Sequence, residues 1–129
     1  KRVLPVIVGI TVAFIDASRR IIMNELAVLY DTILQRKANP EAGSYTTYLF
    51  EKGLEKILKK VGEESSEVLI AALTQSKTDQ INELGDLFYH LMVLMVEKGI
   101  TLEEVNAELT RRSQKTHNKK AERKPIEQL

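Results

Sequence analysis

Two pairs of carboxylates carry the most legible chemistry in this chain: Glu64 with Glu67, and Glu83 with Asp86. Each pair is spaced three residues apart. On a helix turning about 100° per residue, that spacing puts both side chains on one face, able to grip one object together. Glu64 also falls three residues after Val61 and four before Val68, at the edge of an apolar stripe, so it should point toward the interior. Four carboxylates aimed into one interior repel one another and are costly to desolvate unless a cation neutralises them. The sequence therefore predicts a cation held by Glu64, Glu67, Glu83 and Asp86. The chain has no cysteine and only two histidines, which excludes thiolate and histidine-rich metal sites and leaves oxygen ligands. Hard cations suit that set, Mg²⁺, Mn²⁺ or Ca²⁺, and a site with few protein ligands that keeps several waters is the usual Mg²⁺ arrangement beside phosphates. A di-iron bundle would need Glu-x-x-His motifs, and no Glu stands three residues before a His. The plainer alternative is that these acids are exposed and pair along helix surfaces.

A basic row lies beside the acids. Lys52, Lys56, Lys59 and Lys60 precede Glu63, with 52, 56 and 59/60 on one face if the stretch is one unbroken helix. Such a row could hold the oxygens of a polyphosphate. Equally, it could be a solvated face, with Lys52, Glu55 and Lys59 pairing along it and Lys60 pairing with Glu63 and Glu64. His90, four residues after Asp86, is either a satisfied core histidine or a supporting residue behind the acids.

The elements that must position these groups are helical. Leu26, Leu29, Tyr30, Ile33 and Leu34 recur at helical spacing, and Asn39-Pro40 stops that helix. A loop is expected from Pro40 to Thr47. Leu54, Ile57, Leu58, Val61, Val68, Leu69 and Ala72 then mark a long helix ending near Thr74, with Gly53 and Gly62 as weak points inside it. Thr78 is the expected N-cap of a third helix that runs to Lys98 and closes at Gly99. From Leu84 to Val96 this helix is apolar nearly all round, the mark of a helix surrounded by others. Thr101 and Glu104 form a capping box that opens a final helix to about Arg112. No strand-like alternation follows residue 22, so the fold class is all-α, a bundle of three main helices plus short ones.

The chain of 129 residues has a net charge of +1 that conceals three unlike regions. Residues 1–22 hold four bases and one acid, and residues 111–124 hold seven bases and one acid. Between them, residues 23–110 hold eight bases against fifteen acids, a poor nucleic-acid surface and a plausible cation site. Three parts are expected: an extension over 1–22 of unknown role, a working domain over 23–112, and a basic tail over 113–129. The apolar run Val3 to Ile15 is too short to span a bilayer, which takes about 20 residues. It reads as an extension outside the working domain or as a targeting segment.

The motifs also carry a resemblance. Gly43-Ser44-Tyr45-Thr46, then Lys60-Val61-Gly62-Glu63-Glu64-x-x-Glu67, then Glu83-x-x-Asp86-Leu87-x-Tyr89-His90, resemble the phosphoribosyl-ATP pyrophosphohydrolases of histidine biosynthesis. These belong to the all-α MazG-like nucleotide pyrophosphohydrolase superfamily. The paired acids alone point only to the superfamily, whereas the G-S-Y-T loop, the K-V-G-E-E stretch and the D-L-x-Y-H ending point to the histidine-pathway member. The likeness runs from about Leu29 to Arg112.

The resemblance implies Mg²⁺-dependent hydrolysis of the α,β-phosphoanhydride of phosphoribosyl-ATP to phosphoribosyl-AMP and pyrophosphate. The metal would lie on Glu64, Glu67, Glu83 and Asp86, with Glu63 or Glu64 taking the proton of the attacking water. Lys52, Lys56, Lys59 and Lys60, with Ser44, Tyr45 and Thr46 of the loop, would contact substrate, and Tyr89 and His90 would support the site from behind. It also implies a cytoplasmic homodimer that takes phosphoribosyl-ATP as its small-molecule partner, without nucleic acid or membrane. A dimer is expected independently, because the third helix has more apolar surface than its own chain can cover. Two alternatives remain: a broader nucleoside triphosphate pyrophosphohydrolase, and a non-catalytic helical dimer module.

Overall fold

The computed structural model describes residues 25–115, 117 and 119–121. The extension expected over 1–22 and most of the basic tail lie outside the described residues. Among those described, the chain is helical throughout, with no strand. In chain order the helices are α1 (25–38), α2 (Tyr45–Lys52), α3 (Leu54–Thr74), α4 (Lys77–Lys98) and α5 (Leu102–Ser113).

The loop after α1 is shorter than the sequence suggests, because Ser44 starts a helix. Its hydroxyl accepts a hydrogen bond from the Thr47 amide at 3.2 Å, capping α2 three residues before the expected end of the loop. Buried Thr47 in turn accepts from the Glu41 amide at 3.0 Å, clipping the loop onto the helix that follows. The expected long helix is also interrupted. Gly53 adopts φ 82° and ψ −169°, a conformation that side chains strongly disfavour, and the chain turns there between α2 and α3. Gly62 lies inside α3 without breaking it.

α3 and α4 form the antiparallel hairpin on which the rest is built. The turn is brief because Ser76, rather than Thr78, caps α4. The Ser76 hydroxyl accepts from the Asp79 amide and the Asp79 carboxylate accepts from the Ser76 amide, a reciprocal box. At the far end Gly99 takes the left-handed conformation, φ 66°, and donates to the Val96 carbonyl, while Ile100 donates to that of Met95 at 2.8 Å. The expected box at Thr101 is present and opens α5.

Four helices each supply one fully buried side chain to the core: Ile33 from α1, Leu49 from α2, Ile57 from α3 and Val93 from α4. Two polar links fix α1 to the end of α4. The Tyr30 hydroxyl donates to the Ile100 carbonyl at 2.9 Å, and Lys37 pairs with Glu97 at 3.3 Å. Burial along α4 is lopsided. His90, Met92, Val93 and Val96 are buried, but Ile81, Leu84 and Phe88 are exposed, as are Leu69, Ile70 and Leu73 on α3. Among the described residues, the helix that its composition marks as surrounded is covered mainly along its second half.

Candidate active site

The acids converge midway along the α3–α4 hairpin. Glu64 of α3 meets Glu83 and Asp86 of α4, and one oxygen from each lies within 4.8 Å of the other two. Antiparallel pairing of two helices produces this, because residues equidistant from the turn face one another. Glu64 and Glu83 are partly enclosed, the Glu64 side chain 12% exposed, and Asp86 is exposed. Glu67 does not join the three-way convergence, but its charge reaches Glu83. Burial raises the Glu83 carboxyl above the usual carboxylate range, and the charges of Glu67, Asp86 and Glu64 raise it further. That upward displacement is what acids gathered in one partly enclosed place should show, with Lys60 pairing only at the Glu64 side of the group. An all-oxygen donor set of this kind fits a hard divalent cation.

The lysines divide into three settings. Lys60 Nζ sits 3.1 Å from Glu63 Oε2 and 3.2 Å from Glu64 Oε1, with its side chain 23% exposed. The bond to Glu63 raises the Lys60 ammonium above its ordinary value and holds the Glu63 carboxyl below its own. Lys59 is largely exposed and only brushes Glu63 at 3.9 Å. Lys52 and Lys56 both stand over the ring of Tyr48, at 5.8 and 5.9 Å from its centroid. Because of the break at Gly53, Lys52 belongs to α2 and the other three to α3, so the row is carried on two helices.

The G-S-Y-T stretch, which supplies the cap and first turn of α2, is tied to α4 by its own side chains. The Tyr45 hydroxyl lies 3.0 Å from His90 Nε2, and Thr46 shares a hydrogen bond with the Tyr89 hydroxyl. Burial pushes the Tyr45 phenol up, partly offset by the nearby Lys60 ammonium. Tyr45 stacks between Tyr48 and Tyr89 at 6.0 and 6.2 Å. Beside it opens a cleft of about 420 Å³ lined by Ser44, Tyr45, Thr47, Tyr48, Glu41 and Glu51 among others. Sequence reasoning missed Tyr48. Its only signal was a position three residues after Tyr45, visible as a shared face once α2 is known to begin at Tyr45.

The same residues fall inside a match to a known family. A family model described as phosphoribosyl-ATP pyrophosphohydrolase matches residues 26–113. The chain belongs to the phosphoribosyl-ATP pyrophosphohydrolase family. It is 55% identical over 104 residues to the phosphoribosyl-ATP pyrophosphatase of Clostridium acetobutylicum, covering 81% of this chain and 94% of that protein. It is 57% identical over 106 residues to the protein of that name from Clostridium botulinum strain Hall, covering 82% of this chain and 96% of that one. It is also similar to part of a longer protein, the histidine biosynthesis bifunctional protein HisIE of Caldanaerobacter subterraneus. There it is 60% identical over 87 residues, 67% of this chain and 42% of that protein. The matched span in the family holds α2, α3 and α4 whole, and so every group of the site described above.

Proposed function

We propose that this chain hydrolyses phosphoribosyl-ATP at its α,β-phosphoanhydride, releasing phosphoribosyl-AMP and pyrophosphate. The observation that carries the reading is the meeting of Glu64, Glu83 and Asp86 in a member of this family. These three would hold Mg²⁺, with Glu67 close enough to join or to support them. When bound, the ion supplies charge neutralisation at the phosphate oxygens and a favourable setting for attack by water. Glu63 and Glu64 are the two candidates for the proton acceptor, and Lys60 pairs with both. Glu63 is engaged by Lys60, which holds its carboxyl low and makes it a weaker base. Lys60, in direct contact with the cluster at Glu64, is the lysine best placed to meet a departing pyrophosphate, with Lys56 and Lys52 farther from the acids. The cleft beside Tyr45 would take the nucleoside end.

The exposed apolar side chains of α3 and α4 support a homodimer. Leu73 is 84% exposed, Leu69 66% and Ile81 60%, and these lie together near the hairpin turn. Sedimentation equilibrium at micromolar concentration should give a dimer, and an active monomer would contradict it. A cytoplasmic setting is proposed from the biosynthetic role. None of the described helices is long and apolar enough to cross a membrane.

The test is turnover of phosphoribosyl-ATP against a panel of ordinary nucleoside triphosphates, with and without Mg²⁺, following pyrophosphate. Preference for phosphoribosyl-ATP and dependence on Mg²⁺ are expected. Equal turnover of the panel would favour the broader pyrophosphohydrolase, and no turnover would remove the enzymatic reading.

A further inference from the structure

We infer that His90 is a positioning residue that fixes the first turn of α2 beside the acid cluster by holding Tyr45 through one ring nitrogen and the α4 backbone at Asp86 through the other. The inference rests on the proposed reading of Tyr45 as a substrate-facing residue and assigns what holds it in place.

The ring is buried, 5% exposed, and both its nitrogens are engaged. Nδ1 lies 2.7 Å from the carbonyl oxygen of Asp86, and a carbonyl can only accept. The proton of the neutral ring therefore sits on Nδ1, and Nε2 is left to accept from the Tyr45 hydroxyl at 3.0 Å. One side chain thus spans from the backbone of a cluster residue to the first turn of α2, which carries Tyr45. The rings reinforce the arrangement, His90 meeting Tyr45 and Tyr89 edge to face at 5.8 and 5.0 Å. A second clasp runs beside it, between Thr46 and the Tyr89 hydroxyl.

α2 contributes Leu49 and Thr47 as buried residues, and Leu49 shares the core with Met92, Val93 and Val96 of α4. At the start of that helix, Tyr45 and Thr46 add the two hydrogen bonds that tie it to α4, where Glu83 and Asp86 also stand. Tyr45 itself is 45% exposed, so its ring is held from one side by its aromatic neighbours and at its hydroxyl by His90. Removing the bond at Nε2 should let the ring move while leaving the acids where they are.

Two replacements separate the two ends of the imidazole. Asparagine places an amide near the position of Nδ1 and can still donate to the Asp86 carbonyl, but it cannot reach Tyr45. Glutamine places its amide near Nε2 and can accept from the Tyr45 hydroxyl. The experiment compares Tyr45→Phe, His90→Asn, His90→Gln and the double variant Tyr45→Phe/His90→Asn. The readouts are kcat/KM on phosphoribosyl-ATP and, separately, Mn²⁺ affinity by electron paramagnetic resonance. Tyr45→Phe and His90→Asn should each lower kcat/KM about 3- to 10-fold, the range for one neutral hydrogen bond. The double variant should be no worse than either single one, and His90→Gln should stay within about twofold of the parent protein. Mn²⁺ affinity should hold in all four.

The inference is overturned if glutamine is as damaging as asparagine, if the two single effects multiply, or if Mn²⁺ affinity falls in step with activity, which would mean that His90 acts through Asp86. Should His90→Asn fail to fold, Tyr45→Phe alone decides: an unchanged kcat/KM rejects the role. Nitrogen NMR of the metal-free protein at alkaline pH gives a reading that needs no substrate. An unprotonated Nε2 whose resonance shifts in Tyr45→Phe is expected, and a ring protonated at Nε2 refutes the arrangement. If the parent protein fails to turn over phosphoribosyl-ATP, the proposed function falls while this NMR result still stands or fails by itself.

Discussion

Replacing Lys60 by alanine separates two roles that a lysine beside glutamates can play. Its ammonium lies 3.1 Å from Glu63 and 3.2 Å from Glu64, three and four residues on along the same helix. Pairs of this kind contribute little to folding, because the partners are partly solvated and the helix forms without them. The melting temperature of Lys60→Ala should therefore stay near that of the parent protein. Catalysis should respond differently. A charge-assisted hydrogen bond to a phosphate oxygen contributes about 1.5 to 3 kcal/mol, which corresponds to a fall in kcat/KM of about 10- to 150-fold. Lys59 is the internal control, since its side chain is 67% exposed and its ammonium lies 3.9 Å from Glu63. Lys59→Ala should change kcat/KM by less than about twofold. The assay is initial-rate kinetics on phosphoribosyl-ATP at matched ionic strength, with thermal melting of each variant. If Lys60→Ala stays within twofold, or if Lys59→Ala is equally damaging, the phosphate role is wrong and the lysines are a solvated face.

Two other perturbations follow from the geometry. Gly53→Ala should destabilise the fold by about 1 to 3 kcal/mol through backbone strain alone, because φ is +82° while an added Cβ would meet nothing within 4 Å. Urea unfolding should show a lower midpoint at an unchanged slope. Glu83 carries a carboxyl raised by burial and by its acidic neighbours, so the metal-free folded state holds that proton more tightly than the unfolded chain does. Its contribution to stability is fully present below the unfolded pKa and is lost as pH rises through the folded one. Glu83→Gln should accordingly raise the melting temperature of the metal-free protein at neutral pH, with the gain shrinking on acidification. A lower melting temperature at neutral pH would contradict the repulsion.

The parts of the molecule legible in the sequence are those that depend on local periodicity. Glycine and proline punctuation, the Thr101 box and the apolar spacing of α1, α3 and α4 all have their signal within a turn or two of chain. The spacing of Glu83 and Asp86 likewise requires only that α4 be a helix. What local reasoning misplaced were competing caps. Ser76 and Thr78 are both good N-cap residues, and Asp79 decides between them by closing a box with Ser76. Ser44 begins a helix inside a segment that reads as a loop because Gly43 and Pro40 dominate its composition. Gly53 reads equally as a tolerated glycine or as a break, and only its positive φ distinguishes them. The Tyr45–His90 bond joins residues 45 positions apart and is set by how α2 lies on the hairpin, a tertiary fact with no local signal. Glu67 illustrates the same limit from the other side. Helical spacing places it on the face of Glu64, yet one turn of α3 is enough to carry its carboxylate out of the three-way convergence.

The central claim is that Glu64, Glu83 and Asp86 form one divalent-cation site on which hydrolysis depends. Mn²⁺ titration followed by electron paramagnetic resonance, on the parent protein and on Glu64→Gln, Glu83→Gln and Asp86→Asn, tests it most directly. The account predicts saturable binding in the parent protein. It predicts at least tenfold weaker binding in each variant, with phosphoribosyl-ATP turnover lost in parallel and folding retained. Mn²⁺ binding that survives all three substitutions, or turnover that persists when binding is gone, would contradict it.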